Sequence, residues 1–135
     1  MTIATLAIFG VITPLKINSD ICKANECPAS LLDVLDQNPT SENIKRAVVY
    51  IAEEYGIDES QLLSTIQCES GFRHTGVYGD SGLAYGVAQF HKPTFDGFCE
   101  GNYYSAKDQL VCLAKMWNDS RQSHWSCYNK LVAKK

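Results

Sequence analysis

Glu69 carries the strongest signal for catalysis in this sequence. Leu62, Ile66 and Glu69 are spaced i, i+4, i+7, so they share one face of a predicted helix. A carboxyl group that continues an apolar stripe faces a core or a cleft. There, desolvation and the negative end of the helix dipole both favour the protonated form, which can act as a general acid. Alternatively, the helix ends before Glu69 or Arg73 pairs with it, and the carboxyl group is an ordinary surface group.

The glycine-rich segment after this helix could shape a binding cleft. Residues 71–86 include five glycines, which predicts a loop or a small hairpin. A polysaccharide cleft needs aromatic rings for stacking and polar groups for hydrogen bonds to hydroxyls. Aromatic residues at these spacings are also often core residues. The candidates for sugar contact are Tyr78, Tyr85, Gln89 and Phe90.

Asp80 is the candidate for a second catalytic carboxylate. An Asp in a glycine-rich turn such as YGDSG more often hydrogen-bonds its own backbone. Without a second carboxylate, Glu69 would act twice. It would first protonate a glycosidic oxygen and then, as a carboxylate, remove a proton from the attacking hydroxyl. The residues alone leave both arrangements open.

Six cysteines in a chain of 135 residues predict a disulfide framework made in an oxidising compartment. The spacings of structural zinc sites are missing, so neither a metal nor another cofactor is predicted. A free Cys68 would instead permit a cysteine hydrolase, with one of the three histidines as its base. The six are Cys22, Cys27, Cys68, Cys99, Cys112 and Cys127.

Composition limits the classes of function. The chain is 45% hydrophobic and 20% charged, which suits one domain with a single core and excludes a wholly disordered protein. Its net charge of -3 argues against a nucleic-acid partner. The apolar run from Ile3 to Leu15 has the length of a signal peptide and is too short for a stable membrane span, but no Lys or Arg precedes it.

The organisation along the chain is mostly helical. Apolar residues repeat with helical spacing in SENIKRAVVYIAEEYG before Gly56, and Asp58 with Gln61 forms a start like a capping box. Ser105 and Asp108 are expected to cap a later helix. We therefore predict a mainly α domain with at most a small β-hairpin beside the cleft. The predicted divisions are an export segment (1–17), a connector with a short helix at 28–37 (18–40), a catalytic domain (41–130) and a basic tail (131–135).

Three motifs together resemble the transglycosylase SLT family of the lysozyme-like superfamily. They are CESGF at 68–72, GDSGLAYGVAQF at 79–90 and PTF at 93–95. In that family a helix-terminal Glu-Ser opens the site and a Gly-x-x-Gln motif lines the cleft, which here are Glu69-Ser70 and residues 86–89. The later SAKDQLVCLAKMW and HWSCY are more similar to the resuscitation-promoting factors of the same superfamily. Leu83 departs from the family, which usually has glycine there.

The resemblance implies a lysozyme-like α+β fold and cleavage of peptidoglycan strands at the MurNAc-GlcNAc β-1,4 bond. Glu69 would be the general acid, Tyr85 and Gln89 would contact the glycan, and Ser70 would position the loop or the substrate. The product would be a 1,6-anhydro sugar for a lytic transglycosylase or a hydrolysed end for a lysozyme. The resemblance also implies a Cys68–Cys127 disulfide, which leaves Cys99 with Cys112 and Cys22 with Cys27.

Together, the cysteines, the apolar run at 3–15 and the family resemblance predict a secreted or cell-envelope enzyme that acts as a monomer. Two other classes remain open. One is a non-catalytic glycan-binding or inhibitor module on a lysozyme-like scaffold, and the other is a small disulfide-stapled toxin or signalling module. Glu69 disfavours the binding module, because a pure binder has no need of a carboxyl group on an apolar stripe.

Overall fold

The computed structural model describes residues 28–134, with side chains from Leu31 onward. Within that range it contains six α-helices and three short β-strands, so the prediction of a mainly helical fold is confirmed. The helices are α1 (Pro28–Leu35), α2 (Ser41–Tyr55), α3 (Glu59–Ser70), α4 (Lys92–Phe98), α5 (Ala106–Asn118) and α6 (Ser126–Val132). The strands are β1 (Tyr78–Gly79), β2 (Ala84–Tyr85) and β3 (Phe90–His91).

Local capping sets the ends of the helices that matter for the site. The Asp58 carboxylate accepts the Gln61 N–H at 2.8 Å at the start of α3, and Gly71 ends that helix with a left-handed φ of 62°. Ser105 Oγ accepts the Asp108 N–H at 2.9 Å at the start of α5. The α3 helix therefore continues through its last turn, where the candidate acid lies.

The core forms where α2 packs against α1, α3 and α5. The short helix expected in the connector, α1, belongs to this core, because Leu35 is fully buried. Asp36 of the following turn accepts hydrogen bonds from Ser105 Oγ at 2.6 Å and from the Lys107 N–H at 3.1 Å. Lys107 Nζ also lies 2.6 Å from a carboxylate oxygen of Asp33. The start of α5 is thus tied to α1 through side chains.

The β-structure exceeds the predicted hairpin by one strand. β2 pairs antiparallel with both β1 and β3, which makes a three-stranded sheet in the order β1-β2-β3. The chain turns back for the third strand through Gly86 at φ 82° and Gln89 at φ 50°. A Cβ at Gly86 would lie 2.6 Å from Gln109 Nε2, so only glycine allows this turn to pack on α5.

Two disulfides hold the helices around the site. Cys68–Cys127 joins the end of α3 to α6, and Cys99–Cys112 joins the residue after α4 to α5. Both pairings are those that the resemblance implied, and no cysteine in residues 28–134 is free. Cys22 and Cys27 lie outside the described residues.

No group of three or more potential metal-ligating side chains occurs in residues 28–134. None of the helices described there has the length and apolar character needed to cross a membrane. The apolar run at 3–15 precedes the described part of the chain.

Candidate active site

Glu69 lies in the last turn of α3 and is partly buried. Its Oε1 accepts a hydrogen bond from the backbone N–H of Cys127 in the first turn of α6, at 3.2 Å. The ion pairs in residues 28–134 do not include one between Glu69 and Arg73, and Arg73 Nε donates to the Ser70 carbonyl at 3.1 Å. The helix therefore presents the carboxyl group toward α6 without a paired cation.

The surroundings of Glu69 favour its protonated form. Burial raises the pKa of Glu69 above its ordinary value, and this effect outweighs two others that lower it. The opposing contributions are the Cys127 N–H hydrogen bond and the positive charge of Lys130. A carboxyl group with a raised pKa retains its proton to higher pH and can donate it to a substrate.

An open cleft of about 710 Å³ lies in front of Glu69. Its lining comes from the end of α3, from the sheet and its turns, from α4, and from the residues at the start of α6. The lining residues are Glu69, Gly79, Asp80, Ala84, Gln89, Phe90, His91, Thr94, His124, Trp125 and Ser126. Four of the predicted site residues, Glu69, Asp80, Gln89 and Phe90, thus meet in one cleft.

Three predicted site residues are not among those lining the cleft. Ser70 is buried, and its Oγ donates to the Ile66 carbonyl at 3.3 Å, so it serves the helix end. Tyr85 is only 8% exposed, and the ring of Tyr78 packs on it with centroids 5.0 Å apart. The expectation that Tyr85 contacts the glycan is not supported by this position. Alternation along the strands sends Tyr78 and Tyr85 to the sheet face opposite Gly79 and Ala84.

Gln89 lines the cleft with a side chain that is already engaged. Its Nε2 donates to the carbonyls of Gly86 at 2.8 Å and Val77 at 3.3 Å. The Gln89 side chain lies against Gly79, where any Cβ would collide with its Oε1. Both amide hydrogens therefore hold the hairpin together, and the amide oxygen is the group left for a substrate hydroxyl.

A buried polar pair fixes the turn that carries Gln89. Gln109 is fully buried; its Oε1 accepts the Ala88 N–H at 3.1 Å, and its Nε2 donates to the carbonyls of Tyr85 and Tyr103 at 3.0 and 2.8 Å. His74 Nδ1 accepts the Val87 N–H at 3.1 Å. Each of these backbone groups is hydrogen-bonded to the buried side chain of Gln109 or His74, so the turn is rigidly placed.

Asp80 does not make the local backbone contact expected of a turn residue. Its carboxylate oxygen Oδ2 lies 2.7 Å from Nε2 of His91 on β3. Both side chains line the cleft. The candidate second carboxylate is therefore bound to an imidazole.

Comparison with known proteins adds no relative. No protein family, curated protein or solved structure matches this chain.

Several residues that line the cleft were not predicted from the sequence. The residues not singled out as site residues include His91, Thr94, His124, Trp125 and Ser126. Trp125 is buried and donates its indole N–H to the Ala88 carbonyl at 2.9 Å, yet it also lines the cleft. His91 pairs with Ala84 of β2, and this register, which local sequence does not reveal, puts it on the sheet face of Gly79 and Ala84.

The arrangement suits acid–base chemistry on a polar substrate. The cleft brings a carboxyl group with a raised pKa and a carboxylate–imidazole pair together in one open space. Cys68 is held in a disulfide and offers no thiolate, so the structure does not support a cysteine hydrolase.

Proposed function

We propose that this chain is a peptidoglycan-cleaving glycosidase with a lysozyme-like fold. It acts on the β-1,4 bond between N-acetylmuramic acid and N-acetylglucosamine, with Glu69 as general acid. The observation that carries the proposal is the position of Glu69, which is partly buried at the end of α3 with a raised pKa and lines the open cleft. A glycosidic oxygen is a poor leaving group until it is protonated, and a carboxyl group of this kind supplies the proton.

The motif resemblance and the geometry support the same assignment. The family pattern needs the helix-terminal Glu and the Gln of Gly-x-x-Gln at one cleft, and Glu69 and Gln89 line the same cleft here. It also implies a bridge between the residue before the acid and the C-terminal part, and Cys68 pairs with Cys127. These features support the lysozyme-like assignment, which stays a proposal.

The reaction begins with proton transfer from Glu69 to the bridging oxygen. The bond between that oxygen and C1 of the muramoyl residue breaks, and the leaving sugar takes the bonding electron pair. Attack on C1 by the muramoyl 6-hydroxyl closes a 1,6-anhydro ring, whereas attack by water gives hydrolysis. The family resemblance favours the 1,6-anhydro product, and the mass of the new end distinguishes the two.

A second candidate function rests on the hydrogen bond between Glu69 and Cys127. This contact gives the carboxyl group a structural role in joining α3 to α6, so a non-catalytic glycan-binding or inhibitor module is the competing proposal. Such a module would bind peptidoglycan without changing its mass. Conversion of Glu69 to Gln would then leave its affinity unchanged.

The proposed location is outside the cytoplasm or in the cell envelope. Two disulfides fit an oxidising compartment, where peptidoglycan is also accessible. We propose that the enzyme acts there as a monomer, which size-exclusion chromatography with light scattering would check.

Mass spectrometry of digested peptidoglycan tests the proposed function. The wild-type protein should release muropeptides, and Glu69→Gln should reduce the release by about 10²–10⁴-fold because the amide has no proton to give. Glu59→Gln, the same change at the exposed first residue of α3, is the matched control and should keep wild-type activity. Intact peptidoglycan after incubation with folded wild-type protein would refute the proposal.

A further inference from the structure

We propose that His91, held by Asp80, is the proton acceptor of this cleft. The attacking hydroxyl would lose its proton to the imidazole, so Glu69 would not have to serve as both acid and base. This inference deepens the proposed function and rests on it, because it names the group that completes the same reaction.

The hydrogen bond between the two side chains defines the state of the imidazole. His91 Nε2 lies 2.7 Å from Asp80 Oδ2, the length of a charge-assisted hydrogen bond. An ionised carboxylate can only accept hydrogen bonds, so Nε2 carries the proton that lies between them. The neutral ring then has its lone pair on Nδ1, and no side chain or backbone group in residues 28–134 donates to that atom. This leaves Nδ1 able to accept a proton.

The strand register directs His91 to the cleft. Gly79 pairs with Ala84, and Ala84 pairs with His91, so these three residues form one row across the same face of the sheet. All three line the cleft that also contains Glu69. The Gln89 side chain covers Gly79 in this row, and the imidazole lies at the other end of the row, beyond Ala84.

The charged groups around His91 single out Asp80 as its partner. Glu69, Asp80 and His124 are the other titratable side chains that line the cleft. Lys92, the next residue along the chain, is bound to both carboxylate oxygens of Asp96 at 2.9 and 2.8 Å. Among the described residues, Asp80 is thus the carboxylate in contact with the imidazole, and the hydrogen bond between them fixes the tautomer and the orientation of the ring.

The proposed step balances in protons and electrons. Glu69 gives its proton to the glycosidic oxygen as the C1–O bond breaks. A lone pair of the attacking hydroxyl, from water or from the muramoyl 6-position, forms the new bond to C1, and its proton passes to His91 Nδ1. The imidazolium then returns a proton through solvent to the Glu69 carboxylate, which restores both groups.

Chemical rescue tests the role of His91 in the full-length protein. His91→Ala should lower kcat on peptidoglycan by about 10²–10⁴-fold, and added imidazole should restore a measurable part of it, because a small base can enter the open cleft. His91→Gln should lose as much activity but gain nothing from imidazole, since its side chain fills the space. Asp80 is a positioning residue in this scheme, so His91→Ala combined with Asp80→Asn should respond less to imidazole than His91→Ala alone.

The controls separate this proposal from the proposed function. Asp96→Asn breaks an exposed ion pair outside the cleft and should keep wild-type kcat, and circular dichroism should show each variant folded. If the wild type cleaves peptidoglycan while folded His91→Gln retains its kcat, the assignment of the base is wrong and the proposed function stands. The assignment of the base would also be wrong if added imidazole restored the activity of His124→Ala and not that of His91→Ala. Wild-type protein that cleaves nothing would refute both.

Discussion

Glu69 Oε1 accepts the backbone N–H of Cys127 at 3.2 Å, and Cys127 is also joined by a disulfide to Cys68, the neighbour of Glu69. The candidate acid is therefore placed by a hydrogen bond and a covalent bond that connect the same two helices. Its environment depends on α6 as much as on α3.

Conversion of Glu69 to Gln should change how stability depends on pH. Burial raises the folded-state pKa of Glu69 above its ordinary value of 4.5. The folded protein therefore binds this proton more tightly than the unfolded chain. The resulting stabilisation of the folded protein is fully present below pH 4.5 and is lost as pH rises through the folded-state pKa of Glu69.

Glutamine does not ionise, and its Oε1 can still accept the Cys127 N–H. Glu69→Gln should therefore gain stability relative to the wild type as pH rises from 4 to 8. Urea unfolding of both proteins across this range measures the difference in free energy of unfolding. A difference that stays constant with pH, or that changes in the opposite direction, would show that burial does not govern this carboxyl group.

Removal of the Lys130 charge should move the alkaline limit of activity. Lys130 lowers the pKa of Glu69, in opposition to the larger effect of burial. Activity that needs protonated Glu69 falls as pH rises through that pKa. Lys130→Met should raise the pKa further, so the alkaline limb of kcat/KM should shift to higher pH.

The comparison for this prediction is Lys134→Met, which removes the same charge from a residue that does not act on Glu69. The shift for Lys130→Met should also shrink at high ionic strength, because salt screens interactions between exposed charges. Identical pH profiles for the two variants at low salt would contradict the prediction.

The two disulfides should differ in their effect on stability and activity. Cys68–Cys127 closes a loop with a sequence separation of 59, and Cys99–Cys112 one of 13. On chain-entropy grounds, replacement of the first pair by Ala should cost about 4 kcal/mol in the free energy of unfolding, and of the second about 3 kcal/mol.

Only the first replacement removes a link next to Glu69. It should therefore lower kcat at temperatures where the variant is still folded, while the Cys99–Cys112 variant keeps its kcat. Urea unfolding and peptidoglycan digestion on the same samples check both statements. Equal kcat for the two double variants would show that the hydrogen bond alone positions Glu69.

Gln109→Leu should damage the turn that carries Gln89. The change leaves the Ala88 N–H and the carbonyls of Tyr85 and Tyr103 without their partner. A buried polar group without a partner costs about 1–3 kcal/mol, so the loss of stability should be roughly 3 kcal/mol or more. The control is Gln67→Leu, the same substitution at an exposed position of α3. Its free energy of unfolding should stay within about 0.5 kcal/mol of the wild-type value. A Gln109 variant as stable as the Gln67 variant would contradict the assigned role.

Local sequence signals were enough to predict α2, α3 and α5 and to favour a position for Glu69 at the end of α3. The signals are the Asp58 cap, the apolar spacing of Leu62 and Ile66, and Gly71, and each acts over no more than about four residues. Helix formation depends on such short-range interactions, so α3 and the placement of Glu69 in its last turn could be derived before any tertiary contact was known.

The partners of Glu69 and the composition of the cleft were decided only by tertiary structure. Strands of two residues carry too little sequence to set their phase, and a shift of one residue exchanges the two sheet faces. The family resemblance assigned Tyr85 to the cleft and did not point to His91, whereas His91 lines the cleft and Tyr85 does not. The contacts of Asp80 with His91 and of Glu69 with Cys127 join separate elements, and their formation depends on how those elements pack.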